Sequence, residues 1–158
     1  MHLAAFEGRD VVYIDKFESR HPVRMYSRIG LTASLHSAAV AKVLLADLPT
    51  ERREAIATSI DYVKATENTI MSPRALLAEL STVRQQGWAQ DNCEHEPLVH
   101  RIAVPIRDAS GAVVAAASTS VPTMLLDAAG LLDLLPGLAT TAEAISRELG
   151  YLPKGTAP

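Results

Sequence analysis

Residues 102–122 read IAVPIRDASGAVVAAASTSVP, and this stretch constrains the fold more than any other. Two apolar runs flank Asp108-Ala109-Ser110-Gly111, a turn-like cluster, so the segment is expected to form a β-hairpin. A symmetric two- or four-residue loop sets Arg107 opposite Ala112 and Arg101 opposite Ser118. Period-two alternation then gathers Val99, Arg101, Ala103 and Pro105 on one face with Val114, Ala116, Ser118 and Ser120. The other face holds Ile102, Val104, Ile106, Val113, Ala115 and Ala117, an ordinary core. A bulge at Gly111 would move the register by one and break the Arg101–Ser118 pairing. The first face is the unusual one. Small side chains leave space above a sheet, so its alanines suit the floor of a pocket. Hydroxyls and arginine supply donors, and arginine can hold a carboxylate with two parallel bonds. That surface suits a small, oxygen-rich organic acid. Solvent-facing serines and a solvated arginine are the plainer reading of the same pattern.

The rest of the chain sets the fold class. HLAAFEGRDVVYIDKFES contains two β-rich runs about Glu7-Gly8-Arg9-Asp10, and VRMYSRIG (23–30) alternates as a third strand. SLHSAAVAKVLLADLP carries Val40, Val43, Leu44 and Leu48 at helical spacing and is closed by Pro49. Thr50 suits the cap of a more polar helix from Glu51 to about Ile60. Ser72-Pro73 opens another helix with the stripe Leu76, Leu77, Leu80 and Val83, and Gly87 sits where a C-terminal cap belongs. A short strand at Trp88–Gln90 leads into the acidic loop CEHEP. The tail LLDLLPGLATTAEAISRELG reads as a helix interrupted by Pro136-Gly137. Strands, helices, strands and helix in that order predict an α+β domain: a mainly antiparallel sheet flanked by helices.

Composition narrows the function. The 158 residues fit one domain with a real core. The net charge of −3 is wrong for a surface that grips phosphates unaided, and 4% aromatic residues argue against a base-stacking platform. Cys93 is the one cysteine and cannot form an internal disulfide, which fits a reducing cytoplasm. The opening MHLAAFEGRD lacks a signal-peptide pattern, and no uninterrupted apolar run reaches the ~18 residues of a membrane span.

Few residues point to chemistry. Cys93, His95 and Glu96, with His100 nearby, form a sparse metal-ligand set, and a polar surface loop is the simpler account. A Cys93–His95 nucleophilic pair lacks activating context. His36-Ser37, at the start of the first helix, suits capping or an anion site. Asp91 could orient a ligand, pair with Arg101 or start a turn. No phosphate-binding glycine loop occurs.

Three blocks together resemble the C-terminal effector-binding domain of IclR-type bacterial transcriptional regulators. They are HLAAFEGRDVVYIDKFESRHPVRMYSRIG, LHSAAVAKVLLADLP, and GWAQDNCEHEPLVHRIAVPIRDASGAVVAAASTSVP. The second is similar to the family's LHATAxGKALLAxLP. The third is similar to GYAxDxEExxPGVRCIAAPIxDxxGxVVAALSxSGP. The resemblance implies a GAF/PAS-like α+β domain over residues 1–158, with a winged helix-turn-helix upstream and outside this chain. It carries the effector pocket onto Ala39, Val40, Asp91, Arg101, Ser118 and Ser120. Arg101 stands where the family usually has cysteine, Ser34 for proline and Ala41 for glycine. Leu98 and His100 replace the Gly and Arg of GVR.

The expected function is therefore ligand sensing without catalysis or cofactor. A small organic acid is the expected effector, bound within a homodimer or homotetramer in the cytoplasm. Operator DNA is met only through the upstream module, and no membrane is involved. Two alternatives stand beside it. One is a small hydrolase-like or metal-dependent enzyme using Cys93 and His95, or His36. The other is a module for oligomerisation alone.

Overall fold

The computed structural model describes residues 1–18 and 27–153. A six-stranded antiparallel sheet is ordered β3-β2-β1-β6-β5-β4. Its strands are β1 (His2–Glu7), β2 (Asp10–Lys16), β3 (Thr32–Ala33), β4 (Ala89–Asn92), β5 (Val99–Arg107) and β6 (Val113–Pro122). The first strand thus pairs with the last, so the two strands most distant in sequence build the middle of the sheet. Helices α1 (Ala39–Asp47), α2 (Thr50–Ser59) and α3 (Pro73–Gln86) lie on one side. On the other lie α4 (Ala128–Leu132) and α5 (Leu135–Glu148). The expected α+β layout, a mainly antiparallel sheet flanked by helices, holds.

Each face of the sheet has its own core. Ala4, Val11, Tyr13, Ala89, Ala103 and Ala116 pack with α1 and with Leu76, Leu80 and Val83 of α3. Ile102, Val104, Ile106, Ala115 and Ala117 pack with Leu131, Leu138 and Ala142. Alternation along the strands divides the two sets, as a sheet buried on both faces requires. The two alanines Ala103 and Ala116 lie beneath α1 and let the helix approach closely. They seat a helix, where the sequence suggested the open floor of a pocket. Ala116→Leu should destabilise the domain by about 1–3 kcal/mol, the usual effect of overfilling a packed core, measured by urea unfolding.

The hairpin departs from its expected register in an instructive way. Arg107 pairs with Val113, leaving the five-residue loop 108–112 in place of a symmetric two- or four-residue one. Ile106 then pairs with Ala115, so Val114 is an extra residue on β6. Each irregularity shifts the register by one. Their sum is two, which restores the faces. Arg101 consequently sits opposite Ser120, and Ser118 opposite Ala103. At the bulge Val113 joins the core beneath α1, and Val114 is exposed, the reverse of the sequence assignment.

Other boundaries moved for local reasons. Half of the strand expected over Val23–Gly30, residues 23–26, lies outside the described residues; Ser27–Gly30 are loop and turn, and β3 follows at Thr32. Helix α1 begins at Ala39 with Ala38 as an N-cap that makes no side-chain bond, so neither His36 nor Ser37 caps it. Its residues from Ala39 to Ala46 are all buried, where the sequence suggested one apolar stripe, because the helix lies between the sheet and α3. Thr50 is the first residue of α2 and Pro49 its cap. Helix α3 follows its signals: the Ser72 side chain accepts from the Ala75 N–H, and Gly87 takes the left-handed φ of +81°. The short strand expected at Trp88 starts one residue later. The break in the tail falls at the turn Asp133-Leu134, and Pro136 sits in the first turn of α5, which begins at Leu135. Ala128–Glu148 as a whole is long and apolar enough to cross a membrane by length and composition. It is nevertheless divided in two and packs Leu131, Leu138 and Ala142 against the sheet.

Candidate functional site

Beyond Ala103 and Ala116 the same sheet face turns polar. Antiparallel pairing sets Asp91 opposite Arg101, and Arg101 opposite Ser120. One rung along, Ser118 lies between Ala103 and His2. Asp91, Arg101, Ser118 and Ser120 are thus brought together on one face. Ala39 and Val40 lie on α1, packed over that face and buried in its core.

Arg101 is the centre of this cluster. Its Nη1 donates to Asp91 Oδ2 at 2.6 Å and its Nη2 to Glu96 Oε2 at 2.7 Å. The Arg101 side chain is 9% exposed and that of Asp91 0%. Burial works against the Arg101 charge, but Asp91 and Glu96 outweigh it and hold the guanidinium above its ordinary pKa. Asp91 also accepts from the backbone N–H groups of Glu94 (2.7 Å) and His95 (3.3 Å) through Oδ1. Pairing with Arg101 and shaping the following turn are therefore both roles of this carboxylate.

A second ion pair adjoins the first. Lys42 is fully buried and its Nζ donates to Glu94 Oε1 at 2.7 Å, Gln90 O at 2.8 Å and Glu79 Oε1 at 3.2 Å. Glu94 Oε2 is buried without a hydrogen-bond partner. Burial pushes the Glu94 pKa up, against the pull of Lys42.

Histidines and hydroxyls complete the surroundings. His2 contacts Ser27 Oγ through Nε2 and Ser120 Oγ (3.4 Å) through Nδ1. Its ring lies 5.4 Å from that of Tyr13. Burial, helped by the positive N-terminus, Lys16 and Arg101, lowers the His2 pKa to about 4. Burial raises the Tyr13 pKa. His95 Nδ1 lies 3.2 Å from Ser37 Oγ, which donates to Ser34 Oγ at 2.8 Å. Burial and then Arg101 lower the His95 pKa. His36 bridges Ser34 Oγ (3.3 Å) and the Val63 carbonyl (3.2 Å).

The sparse metal set does not converge. His100 Nε2 contacts the Leu126 carbonyl at 2.9 Å, and no group of three His, Cys, Asp or Glu side chains able to hold a metal occurs among the described residues. The Cys93 carbonyl accepts from Thr66 Oγ1 at 2.7 Å, which ties the loop down, and His95 faces Ser37. Sequence reasoning missed His2, Tyr13 and Glu96 as members of one cluster. Lys42, a charge inside the apolar run AAVAKVLLA, was the available sign of a buried ion pair.

The family model described as bacterial transcriptional regulator IclR C-terminal matches residues 1–147. The transcriptional regulator KdgR of Escherichia coli is 41% identical over 151 residues, 96% of this chain and 57% of its own length. The chain thus spans little more than half of that relative. The solved C-terminal domain of E. coli KdgR superposes with a TM-score of 0.84 at 38% identity, covering 95% of this chain and 87% of that one. The inducer-binding domain of PobR from Acinetobacter, solved as a double mutant with 3-hydroxybenzoic acid, gives a TM-score of 0.84 at 27% identity. It covers 92% of this chain and 86% of that one. An IclR homologue from Microbacterium hydrocarbonoxydans, solved with 4-hydroxybenzoate, gives 0.79 at 26% identity, covering 93% and 60%. These relatives are regulators rather than enzymes. With the family model matching nearly its whole length, this chain belongs to the IclR C-terminal domains of bacterial transcriptional regulators.

Proposed function

We propose that this domain senses a small organic acid at the cluster of Asp91, Arg101, Ser118 and Ser120 beneath Ala39 and Val40 of α1. The observation that carries the reading is Arg101, a buried cation on the one sheet face that also bears two serine hydroxyls. Guanidinium and hydroxyl groups match a carboxylate with further oxygens. Two structural relatives were solved with hydroxybenzoates, which supports an acid as the ligand class. The acid changes DNA binding through a winged helix-turn-helix outside this chain, within a cytoplasmic homodimer or homotetramer. Such coupling requires the acid to bind two arrangements of the assembly with different affinity.

A thermal-shift series with 3-hydroxybenzoate, 4-hydroxybenzoate, pyruvate and succinate tests the ligand class. At a hundred times Kd, mass action adds about 2.7 kcal/mol. For a domain of this size that is a rise in Tm of roughly 5–10 °C. The corresponding neutral amides should give no shift. A flat response to every acid would leave assembly alone as the role of this domain.

A further inference from the structure

On the reading of this cluster as an acid site, we infer that Glu96 is an internal stand-in for the effector's carboxylate, displaced from Arg101 when the acid binds. Arg101 has a carboxylate on each terminal nitrogen, so the structure holds a filled anion site. The two carboxylates are not equivalent. Asp91 is fully buried and also accepts the Glu94 and His95 N–H groups. Glu96 is 31% exposed, and its carboxylate is held through Arg101 Nη2.

The backbone around Glu96 is fixed independently of that bond. Thr66 holds the Cys93 carbonyl, and Thr69 holds that of Glu94 at 2.7 Å. Lys42 holds the Glu94 side chain, and the Thr123 N–H donates to the Leu98 carbonyl at 2.8 Å. The Glu96 side chain can therefore leave for solvent without dismantling the loop.

Charge makes the departure necessary. One guanidinium already faces two carboxylates, so an incoming anion meets net negative charge while Glu96 stays. Exchange of carboxylate for carboxylate preserves the charge and the hydrogen bond at Nη2. Ser120, opposite Arg101 in the next strand, is then in place for another ligand oxygen. Effector affinity is thus set against an intramolecular competitor, and binding releases a charged side chain from the loop between β4 and β5.

Glu96→Gln removes the competing charge and keeps the shape. Acetate and 4-hydroxybenzoate are the probes, followed through the Arg101 Nε–H resonance by NMR and by calorimetry on wild type and variant. Both probes should bind the variant about tenfold more tightly, equivalent to ~1.4 kcal/mol. Glu67→Gln, at an exposed position outside the cluster, should bind them as wild type does. Detectable binding in Glu96→Gln alone also supports displacement. If wild type binds and Glu96→Gln binds equally or more weakly, Glu96 is not displaced and the inference fails. If neither protein binds either probe, the acid-site reading itself fails, and displacement with it.

Discussion

Arg101→Ala should lower the stability of the domain by about 3–5 kcal/mol, the range for breaking a buried ion pair from one side. The magnitude follows from what is left behind. Asp91 is 0% exposed and would keep its charge buried without its cation, with two backbone N–H groups as its described partners. For a domain with a typical total stability of about 5–15 kcal/mol, that is a large share. Urea unfolding at pH 7 measures it. Combining Arg101→Met with Asp91→Asn should recover most of the loss, because an amide oxygen still accepts from Glu94 and His95 while no charge is stranded. A loss below about 1 kcal/mol in Arg101→Ala would mean that the pair behaves as a solvated surface contact.

Lys42→Met should be of similar size, about 3–5 kcal/mol at pH 7. Methionine keeps most of the side-chain volume, so the effect reports charge more than a cavity. Glu94, with one oxygen already unpartnered, loses its close counter-charge. The pH dependence has a definite sign. Burial raises the folded-state Glu94 pKa above its unfolded value, and removing Lys42 raises it further. A carboxyl shifted this way destabilises when ionised, so the variant should regain stability as pH falls from 7 towards 5. Lys42→Met combined with Glu94→Gln should flatten that profile in a series of melts. If Lys42→Met follows wild type at every pH, the buried pair contributes nothing measurable.

Local signals carried much of the fold. Ser72, Pro73 and Gly87 delimited α3 because caps act within a turn of the residues that make them. The two-residue loop Gly8-Arg9 set the β1–β2 hairpin for the same reason, with Glu7 opposite Asp10. The burial of α1 on all sides was not legible, since it depends on α3 arriving from about 30 residues later in the chain to cover the outer face. The candidate site divided along the same line. Period two placed Arg101, Ser118 and Ser120 on one face, and Asp91 joined them by strand pairing. Glu96 escaped because its position depends on a loop bracketed by left-handed backbone at Cys93 and Leu98, neither of them glycine. Nothing in CEHEP alone says which buried cation each of its two acids meets. His2 escaped because the pairing of the first strand with the last is invisible to any local pattern.

The 108–114 corner of the hairpin has a counterpart in translation. Strands are read in twos, as codons are read in threes, and the odd loop and the extra Val114 act as a frameshift and its suppressor. Were Val114 instead paired with Ile106 in regular alternation, Ser118 and Ser120 would turn to the other face, towards α5. Removing Val114 would take out the bulge and leave them in frame, opposite the same partners. The corner can therefore vary in length without moving the cluster around Arg101, as long as the pairing from Ile106 and Ala115 onward is kept.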